Sequence, residues 1–545
     1  MLPRLFPLLR LPPSPLALVL IAAAFILPGL TGHDLWKTHD AVGLSIVHGM
    51  SATGELLVPR VAGAPWLFDP PLYHWVAAAF GVVLRPLLEF HAAARLASGV
   101  FVAAAFYFAW RTARDWEPDD EKRPSTAAAA MLLVLGAVGL MVHAHEALPE
   151  LAGLAALCGA LAALPHAPRR PLLAGFAFGA ALGVAALASG WIAPLALAIA
   201  VIAGRFACPA WRVAPVSRFL LLALPLGLLI AASWPFLLAQ RAPEAFSQWR
   251  ALTLPVYLRP IEGLRFYLVT GSWFTWPAWP IALWTAWYLR RQWREPRLFV
   301  PGAAVLAMLA GFSLWGATED VDLVLFLPAL ALVAAPAIFL IRRGAVGALD
   351  SFGVLAFGFF SLAVWFFYLV LMLGVPTPVA RNLERIAPGY VPQFSILAVL
   401  VALALAGAWL YLIFFTKRAP TRSLARWAAG IVLFWGTAAM LLMPWVDYQR
   451  NYRSVALELR AQIPPGPGCI AQKGLGVSQA AAFDYHAAIR ASVFDPLRPD
   501  ACRLLIVQGT ATEDIDDPPS ARWRKLAEVG RPGDRVERYR LYLHK

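Results

Sequence analysis

The sequence predicts an all-α polytopic membrane protein, with about 13 transmembrane helices and a small extracytoplasmic α/β domain at its C-terminal end. Hydrophobic residues make up 60% of the 545 residues and charged residues 14%, and the mean hydropathy is +0.65. This composition is typical of a chain that crosses a membrane many times. Residues 446–545 differ, because they are rich in charge and contain no apolar run of spanning length. We therefore expect a membrane domain at 1–445 and a soluble domain at 446–545.

Apolar segments long enough to cross about 30 Å of hydrocarbon follow one another along the membrane domain. In order, they occupy residues 14–31, 72–88, 93–112, 127–144, 149–165, 172–188, 190–204, 218–238, 272–289, 299–316, 323–341, 352–374, 394–415 and 427–445. The first segment runs on into polar sequence without a clean cleavage site, which indicates a retained signal anchor.

The distribution of Lys and Arg predicts which segments cross, because short cytoplasmic loops carry the positive charge. The basic clusters fall on one side only if segment 72–88 lies at the outer interface and does not cross. The cytoplasmic clusters are then Arg4/Arg10, Arg111/Arg114/Lys122/Arg123, Arg169/Arg170, Arg205/Arg212/Arg218, Arg290/Arg291/Arg294/Arg297, Arg342/Arg343 and Lys417/Arg418/Arg422/Arg426. The N-terminus is cytoplasmic in this scheme, and the C-terminal domain is extracytoplasmic. The alternative, that 72–88 is a transmembrane helix with an aromatic belt, stays open.

A polar, proline-rich loop at 31–92 follows the first apolar segment and is predicted to lie on the outer side. Its stretch VPRVAGAPWLFDPPLYHWVAAAFG (58–81) contains a double proline, which prevents a helix from running straight into the membrane. Tyr73, His74 and Trp75 come next and suit the depth of the lipid headgroups. We expect this part of the loop to lie partly on the membrane surface.

The soluble domain contains two of the four cysteines, Cys469 and Cys502. An oxidising compartment outside the membrane permits these two thiols to pair, and we expect a disulfide between them. Two unpaired thiols remain the alternative, because spacing alone does not establish geometry.

Carboxylates collect on the predicted outer side of the membrane, at Asp40, Asp69, Glu150 and in the stretch GATEDVD (316–322). A carboxylate held at a membrane face is what a general base for a hydroxyl group requires. Asp40 opens a predicted helix at 41–50, where the helix dipole favours a negative charge. A simple N-cap role for Asp40 is the alternative.

Arginines on the same side supply the opposite charge, and guanidinium groups suit a lipid phosphate. They include Arg60, Arg95, Arg241 and Arg259. Each of them is also explained by simple contact with anionic headgroups. The net charge of +14 does not indicate nucleic-acid binding, because the Lys and Arg residues lie in short clusters between apolar runs.

A divalent metal is conceivable near His143, His145, Glu146 and Glu150, which cluster in HAHEALPELAGL (143–154). This pattern lacks a diagnostic ligand set, so the sequence predicts no definite metal site or cofactor.

Three motifs occur in the order found in one enzyme superfamily. WKTHDAVGLSIVHGM (36–50), GELLVPRVAGAPWLFDPPLYHWVAAAFG (54–81) and AARLASGVF (93–101) resemble the start of bacterial membrane glycosyltransferases of the GT-C type. That superfamily includes the protein O-mannosyltransferases and the lipid A aminoarabinose transferases, which read W-x-x-D-E-x-x-Y-A, then V-P-x-x-x-G-x-P-Y-x-x-K-P-P-L-Y-Y-W, then A-R-L-P-S. The resemblance covers about residues 30–110 and continues, more weakly, in the sequence that follows.

The resemblance implies an enzyme of the bacterial inner membrane with its catalytic loop at 31–92. A polyprenyl-phosphate-linked sugar would be the donor, the acceptor would be extracytoplasmic (lipid A, a glycan or a protein), and transfer would invert the anomeric carbon. By the same resemblance, Asp40 would act on the acceptor with Glu150 as the second acid, and Asp69 is the rival for the first role. The implied substrate-binding residues are His39, Arg60, Tyr73, Arg95, Arg241 and Arg259.

The chain departs from the superfamily pattern at positions that matter for activity. His39-Asp40 stands where the motif has Asp-Glu, and Asp69 stands where a Lys precedes the double proline. A member that has lost activity and only binds lipid, or a carrier of polyprenyl lipids, therefore remains an alternative. A carrier would place ionisable groups inside its helices. The predicted helices carry almost no central charge, which favours an enzyme at the outer face.

Overall fold

A computed structural model describes residues 14–256, 259–316, 318–416, 419–466, 468–498, 501–511 and 522–545. Within these residues an α-helical membrane domain is followed by a small domain built on a five-stranded sheet. The predicted fold class is thereby confirmed. Arg4, Arg10, Lys417 and Arg418, which contribute to the predicted charge pattern, lie outside the described residues.

The membrane domain consists of helices joined by short loops and single 3-10 turns. In chain order the α-helices are α1 (Pro15–Ile26), α2 (His39–Thr53), α3 (Leu72–Val83), α4 (Phe90–Trp116), α5 (Arg123–Leu135), α6 (Leu140–His143), α7 (Pro149–Ala163), α8 (Pro171–Ser189), α9 (Ile192–Ala207), α10 (Ala214–Arg241), α11 (Pro243–Thr253), α12 (Pro260–Phe274), α13 (Ala278–Tyr288), α14 (Pro296–Trp315), α15 (Leu327–Ala334), α16 (Arg343–Leu373), α17 (Thr377–Ile386), α18 (Ile396–Phe414), α19 (Arg422–Leu441) and α20 (Met443–Arg450). A two-stranded hairpin, β1 (Arg60–Val61) and β2 (Ala64–Pro65), interrupts the loop between α2 and α3.

By length and composition, nine helical segments of the described residues are able to cross a membrane. Four shorter apolar helices, α1, α3, α5 and α9, accompany them. The protein is thus a multi-pass membrane protein, while the predicted count of 13 crossings stays a prediction. Helices α5 and α19 are buried along most of their length and form the centre of the helical core, around which the longer and more exposed helices pack.

Helix α3 covers the segment that was expected not to cross. It has only 12 residues, which corresponds to about 18 Å at the rise of an α-helix. This length is well below the thickness of the hydrocarbon core. Tyr73 and His74 do not face the lipid, because α3 packs against α4 and buries both side chains, while their depth in the membrane stays a prediction. Trp75 is half-buried, and its Nε1 donates to the carbonyl oxygen of Leu56 at 2.8 Å.

The soluble domain begins with α21 (Arg453–Gln462) and contains one further helix, α22 (Val477–Ala487). Its strands are β3 (Ile470–Lys473), β4 (Ala491–Val493), β5 (Leu504–Thr510), β6 (Trp523–Val529) and β7 (Glu537–His544), in the sheet order β4-β3-β5-β7-β6. The β4-β3-β5 part is parallel, and β7 pairs antiparallel with β5 and β6. A disulfide joins Cys469 to Cys502, whose Cα atoms lie 5.0 Å apart.

The soluble domain is docked on the loop that precedes α2. His486 Nε2 lies 3.0 Å from Asp34 Oδ1, and Arg453 Nε lies 3.4 Å from Asp34 Oδ2. His91 Nδ1 is 3.2 Å from the Tyr485 hydroxyl. These contacts bring α22 against α2 and close one side of the candidate site.

Candidate functional site

A cavity of about 620 Å³ lies near the soluble domain, at the start of α2 and of α7 and beside the second half of α12. Its wall is formed by Thr38, His39, Val42, Gly43, Trp66, Phe68, Asp69, Leu148, Pro149, Glu150, Phe266, Thr270, Trp273, Thr318, Glu319, Asp320, Val477 and Ser478. The volume is in the range of sites that take small molecules or the headgroup of a larger one. It is therefore the candidate functional site.

Acidic side chains dominate the charge of the cavity. Asp69, Glu150, Glu319 and Asp320 line it, and the described lining residues include no Lys or Arg. His39 is the one lining side chain among them that can become a cation. The site is therefore suited to hold and deprotonate hydroxyl groups rather than to neutralise a phosphate by direct ion pairing.

Asp69 is held at the cavity by its neighbours in the loop. The indole Nε1 of Trp66 donates to Asp69 Oδ2 at 2.7 Å. Burial raises the pKa of Asp69 to about 6, against the lowering effect of the Trp66 hydrogen bond and with a further contribution from the charge of Glu319. A carboxylate with this pKa is well matched to act as a general base near neutral pH.

Glu150 occupies the first turn of α7, directly after Pro149 at the helix start. The positive end of the helix dipole favours a carboxylate at this position. Its Oε2 is buried and has no hydrogen-bond partner among the described residues. Its negative charge is also repelled by that of Asp69. A ligand hydroxyl in the cavity would give Oε2 the partner it lacks.

A chain of polar contacts leads from the cavity wall to His143. Its Nδ1 lies 2.8 Å from Glu146 Oε2, its Nε2 lies 3.7 Å from Asp320 Oδ2, and its ring stacks on that of Phe274. His143 thus lies between two carboxylates, with a hydrogen bond to Glu146 and a longer contact to Asp320.

Asp40 does not line the cavity. Its side chain is fully buried, with Arg95 Nε donating to Oδ1 at 2.9 Å and Arg95 Nη2 to Oδ2 at 2.6 Å. The backbone N–H groups of Trp36 and Ala147 donate to the same carboxylate. Burial would raise the pKa of Asp40, but Arg95 lowers it below its usual range. The expected contact of Asp40 with an acceptor is thus contradicted by its position.

The bond from Ala147 shows what Asp40 does in the structure. It fixes the segment that leads into Leu148, Pro149 and Glu150, all of which line the cavity. Arg95 also donates to the carbonyl oxygen of His33, which holds the chain just before α2. The ion pair therefore positions two walls of the site.

The other residues expected to bind substrate do not line the cavity either. Arg60 donates to the Gly63 carbonyl oxygen within the β1–β2 turn, and Tyr73 is buried with its hydroxyl 2.7 Å from Ser98 Oγ. Arg241 is exposed at the end of α10, and Arg259 is exposed beside Glu262. Of the predicted site residues, the structure brings together His39, Asp69 and Glu150.

Some residues of the cavity had no signal in the sequence. Trp66 fixes Asp69, and Val477 and Ser478 of the soluble domain complete the wall. The acids of the 316–322 stretch were recognisable as outer carboxylates, but only the fold places two of them beside Asp69. The histidines and acids near 143–150 do not gather around one point, because His145 bonds to the carbonyl oxygens of Met141 and Phe25. Among the described residues, no group of three or more His, Cys, Asp or Glu side chains is arranged to hold a metal ion.

Comparisons with solved structures found a similar fold in ArnT. The structure is similar to a crystal structure of ArnT from Cupriavidus metallidurans bound to undecaprenyl phosphate, with a TM-score of 0.68, 19% sequence identity and coverage of 96% of this chain and 97% of that one. The apo state of the same protein gives a TM-score of 0.69 at 18% identity, with the same coverage of both chains. The oligosaccharyltransferase AglB from Archaeoglobus fulgidus, in complex with an inhibitory peptide and a dolichol-phosphate, is matched at 0.47 and 12% identity, over 90% of this chain and 68% of that one.

No known family profile matches the sequence, and no curated protein matches it significantly. The chain has an ArnT-like GT-C fold, as the motifs of the first loop predict.

Proposed function

We propose that this protein is an integral-membrane glycosyltransferase that moves a sugar from a polyprenyl-phosphate donor to an extracytoplasmic acceptor, with inversion. The observation that carries the proposal is the cavity at the start of α7, which Asp69 and Glu150 both line within an ArnT-like fold. The solved ArnT structure with undecaprenyl phosphate supports the class of donor. By this proposal the protein belongs to a bacterial inner membrane, with its N-terminus in the cytoplasm and the soluble domain outside.

Asp69 is the general base of the proposed reaction. Its carboxylate takes the proton of the acceptor hydroxyl, and the acceptor oxygen forms a bond to the anomeric carbon of the donor sugar. The bond from that carbon to the phosphate oxygen breaks, and polyprenyl phosphate leaves with its electron pair. A pKa of about 6 leaves Asp69 mostly ionised at neutral pH and still basic enough to accept the proton.

Glu150 and His39 complete the proposed site. The unpartnered Oε2 of Glu150 accepts a hydrogen bond from a sugar hydroxyl and so orients the donor. His39, which stands where the superfamily has an acid, donates from its ring to the leaving phosphate. A histidine ring carries an N–H donor, so His39 is suited to contact an anion.

A lipid-binding protein without transfer activity is the second candidate. The absence of Lys and Arg from the described lining residues favours it, since a leaving phosphate is usually neutralised by such side chains. This candidate predicts binding of polyprenyl phosphate without turnover.

The test uses the full chain in lipid nanodiscs with short-chain polyprenyl-phosphate monosaccharides as donor probes and with lipid A and soluble glycans as acceptor probes. Release of polyprenyl phosphate, measured by mass spectrometry, reports turnover, and the variants are Asp69→Asn and the control Glu262→Gln, which removes an exposed acid outside the cavity. We expect release by the wild type and the control but not by Asp69→Asn. Binding of the probe by the wild type without any release would support the second candidate instead.

A further inference from the structure

A second cavity lies between helix α17 and the soluble domain, outside the site described above. Its volume is about 820 Å³. Arg381 and Arg385 of α17 form one wall, and the other wall contains Arg531 and Arg535 of the turn before β7 and Arg538 at the start of β7. We call this cavity the arginine groove.

The arginine groove carries uncompensated positive charge. Arg381, Arg385 and Arg535 are exposed and make no hydrogen bond or ion pair with other described residues. Among the described residues, Arg538 donates only to the carbonyl oxygens of Asp534 and Glu537. The acids of the groove do not cancel these charges. Glu528 forms ion pairs with Lys525 and Arg540, and Asp534 forms one with Arg531. Glu384 is therefore the one unpaired acid among the described lining residues.

The two walls of the groove are held together before any ligand binds. A Cβ added to Gly533, whose φ is +76°, would lie 2.0 Å from the carbonyl oxygen of Ile386 at the end of α17. The Tyr448 hydroxyl donates to the Pro388 carbonyl oxygen at 2.8 Å, and Arg531 Nη1 donates to the Gln449 carbonyl oxygen at 3.1 Å. The arginines of both walls are thus presented by a fixed frame, which lowers the entropy lost on binding.

The groove lies at the surface of the membrane. Helix α17 connects the ends of α16 and α18, and both of these helices are long and apolar enough to cross a bilayer. Large apolar side chains are exposed on the same connection, namely Leu373, Val375, Ile386, Val391, Phe394 and Ile396. A cationic groove beside an exposed apolar edge matches an amphiphile with an anionic head and a hydrocarbon tail.

We propose that the arginine groove binds the phosphate of an anionic lipid in the leaflet that faces the soluble domain. Guanidinium groups bind phosphate oxygens in a planar, two-pronged geometry, and arginines from two separate elements converge on the same space. The lipid bridges α17 and the turn before β7 and so fastens the soluble domain to the bilayer. This inference does not depend on the proposed function, because no residue of the groove lines the other cavity.

Native mass spectrometry of the full chain released from detergent tests the proposal, with phosphatidic acid and phosphatidylcholine as probes. The test variant is Arg381→Gln/Arg385→Gln. The matched control is Arg250→Gln/Arg265→Gln, which removes two exposed arginines from α11 and α12. We expect the affinity for phosphatidic acid to fall by on the order of tenfold or more in the test variant, with no such loss in the control. Phosphatidylcholine binding should be equal in all three proteins.

Inorganic phosphate separates a lipid from a soluble anion as the ligand. If phosphate bound to the wild type as well as phosphatidic acid did, and lost binding in the same variant, the claim of a lipid would be overturned. An equal loss of phosphatidic acid in the test and control variants would overturn the assignment of the groove. Arg535→Gln on the other wall should weaken phosphatidic acid binding as well, and unchanged thermal unfolding of each variant shows that the fold is intact.

Discussion

Asp40 and Asp69 differ in what surrounds their carboxylates, although both are acids of the same outer loop. The Asp40 carboxylate accepts hydrogen bonds from Arg95 and from two backbone N–H groups. The Asp69 carboxylate accepts one hydrogen bond, from Trp66, and lines the cavity. We expect Asp69→Asn to leave the protein folded and to lower the rate of transfer by about a hundredfold to ten-thousandfold. Turnover of polyprenyl-phosphate monosaccharides is the measurement, and near-wild-type transfer by this variant would contradict the role of Asp69.

Asp40→Asn should act on stability instead. The change leaves Arg95 as a buried cation without its partner, and breaking a buried ion pair in this way costs about 3–5 kcal/mol. We expect a lower Tm in detergent and a lower yield of folded protein, with residual turnover per folded molecule. Arg95→Gln should have a similar effect. A folded Asp40→Asn protein with unchanged Tm and no transfer would restore the role that the sequence motif suggests.

The pH dependence of transfer tests the environment of Asp69. A base is active when deprotonated, so the rate should rise with pH through the pKa of Asp69 near 6. The charge of Glu319 raises this pKa and the Trp66 hydrogen bond lowers it. Glu319→Gln should therefore move the inflection to lower pH, and Trp66→Phe should move it to higher pH. Shifts of both variants in the same direction would contradict the assignment.

The motif register could be read from the sequence, but the direction of the side chains could not. His39 and Asp40 are neighbours at the start of α2, and successive residues of a helix point about 100° apart. Only one of them can face the cavity, and in this chain it is His39, because Arg95 of α4 draws Asp40 into the interior. The sequence contains Arg95 in the AARLASGVF motif, but nothing in it pairs this residue with Asp40. Asp69 and Glu150 were predictable as outer acids, and their meeting depends on the packing of α7 against the loop.

At the scale of elements, two predicted apolar segments are interrupted at the same place in the fold. The segment 127–144 breaks after α5, and the segment 272–289 breaks between α12 and α13. The N–H group of Gly139 donates to the Phe274 carbonyl oxygen at 2.9 Å, and that of Val138 donates to the Trp276 carbonyl oxygen at 3.1 Å. Because unpaired backbone groups are costly within a membrane, the two interruptions stabilise each other. The sequence predicts one continuous segment at 127–144, and nothing in it indicates the pairing with the second segment.

Gly139→Ala should destabilise the protein at the contact between these two interrupted segments. The added Cβ would lie 2.2 Å from the Phe274 ring, so one of the two interruptions must move. Overpacking of this kind costs about 1–3 kcal/mol. The matched control is Gly302→Ala in α14, whose added Cβ meets nothing within 4 Å. We expect a lower Tm for the first variant only, and equal Tm values would contradict the tight contact.

At the scale of the whole molecule, the sequence predicts the class of protein well, because composition and segment length depend on the solvent and not on packing. The motifs of residues 30–110 also predict the particular fold, and the similarity to the ArnT structure confirms it. The docking of the soluble domain could not be predicted, since Asp34 meets His486 and Arg453 only after both domains have folded.

The oxidation state of the soluble domain is a test of its compartment. Cys469 and Cys502 are joined in the structure, whereas Cys158 and Cys208 are buried free thiols in the membrane domain. If the domain faces an oxidising space, a non-reduced digest of membranes alkylated before lysis should contain the Cys469–Cys502 peptide pair. Recovery of both as alkylated thiols would place the domain in a reducing compartment.

The topology of the whole chain follows from whether α3 crosses. In the proposed topology α3 does not cross the bilayer, and α4 then returns the chain to the cytoplasm. A reporter fused after Lys122 should therefore read inside and one fused after Arg450 outside, while one fused after Gly54 reads outside in either scheme and serves as the reference. If α3 crossed, the readings at Lys122 and Arg450 would be exchanged, and the soluble domain would lie in the cytoplasm. Since the cavity is lined both by the loop before α3 and by Val477 and Ser478 of the soluble domain, exchanged readings would contradict this shared site.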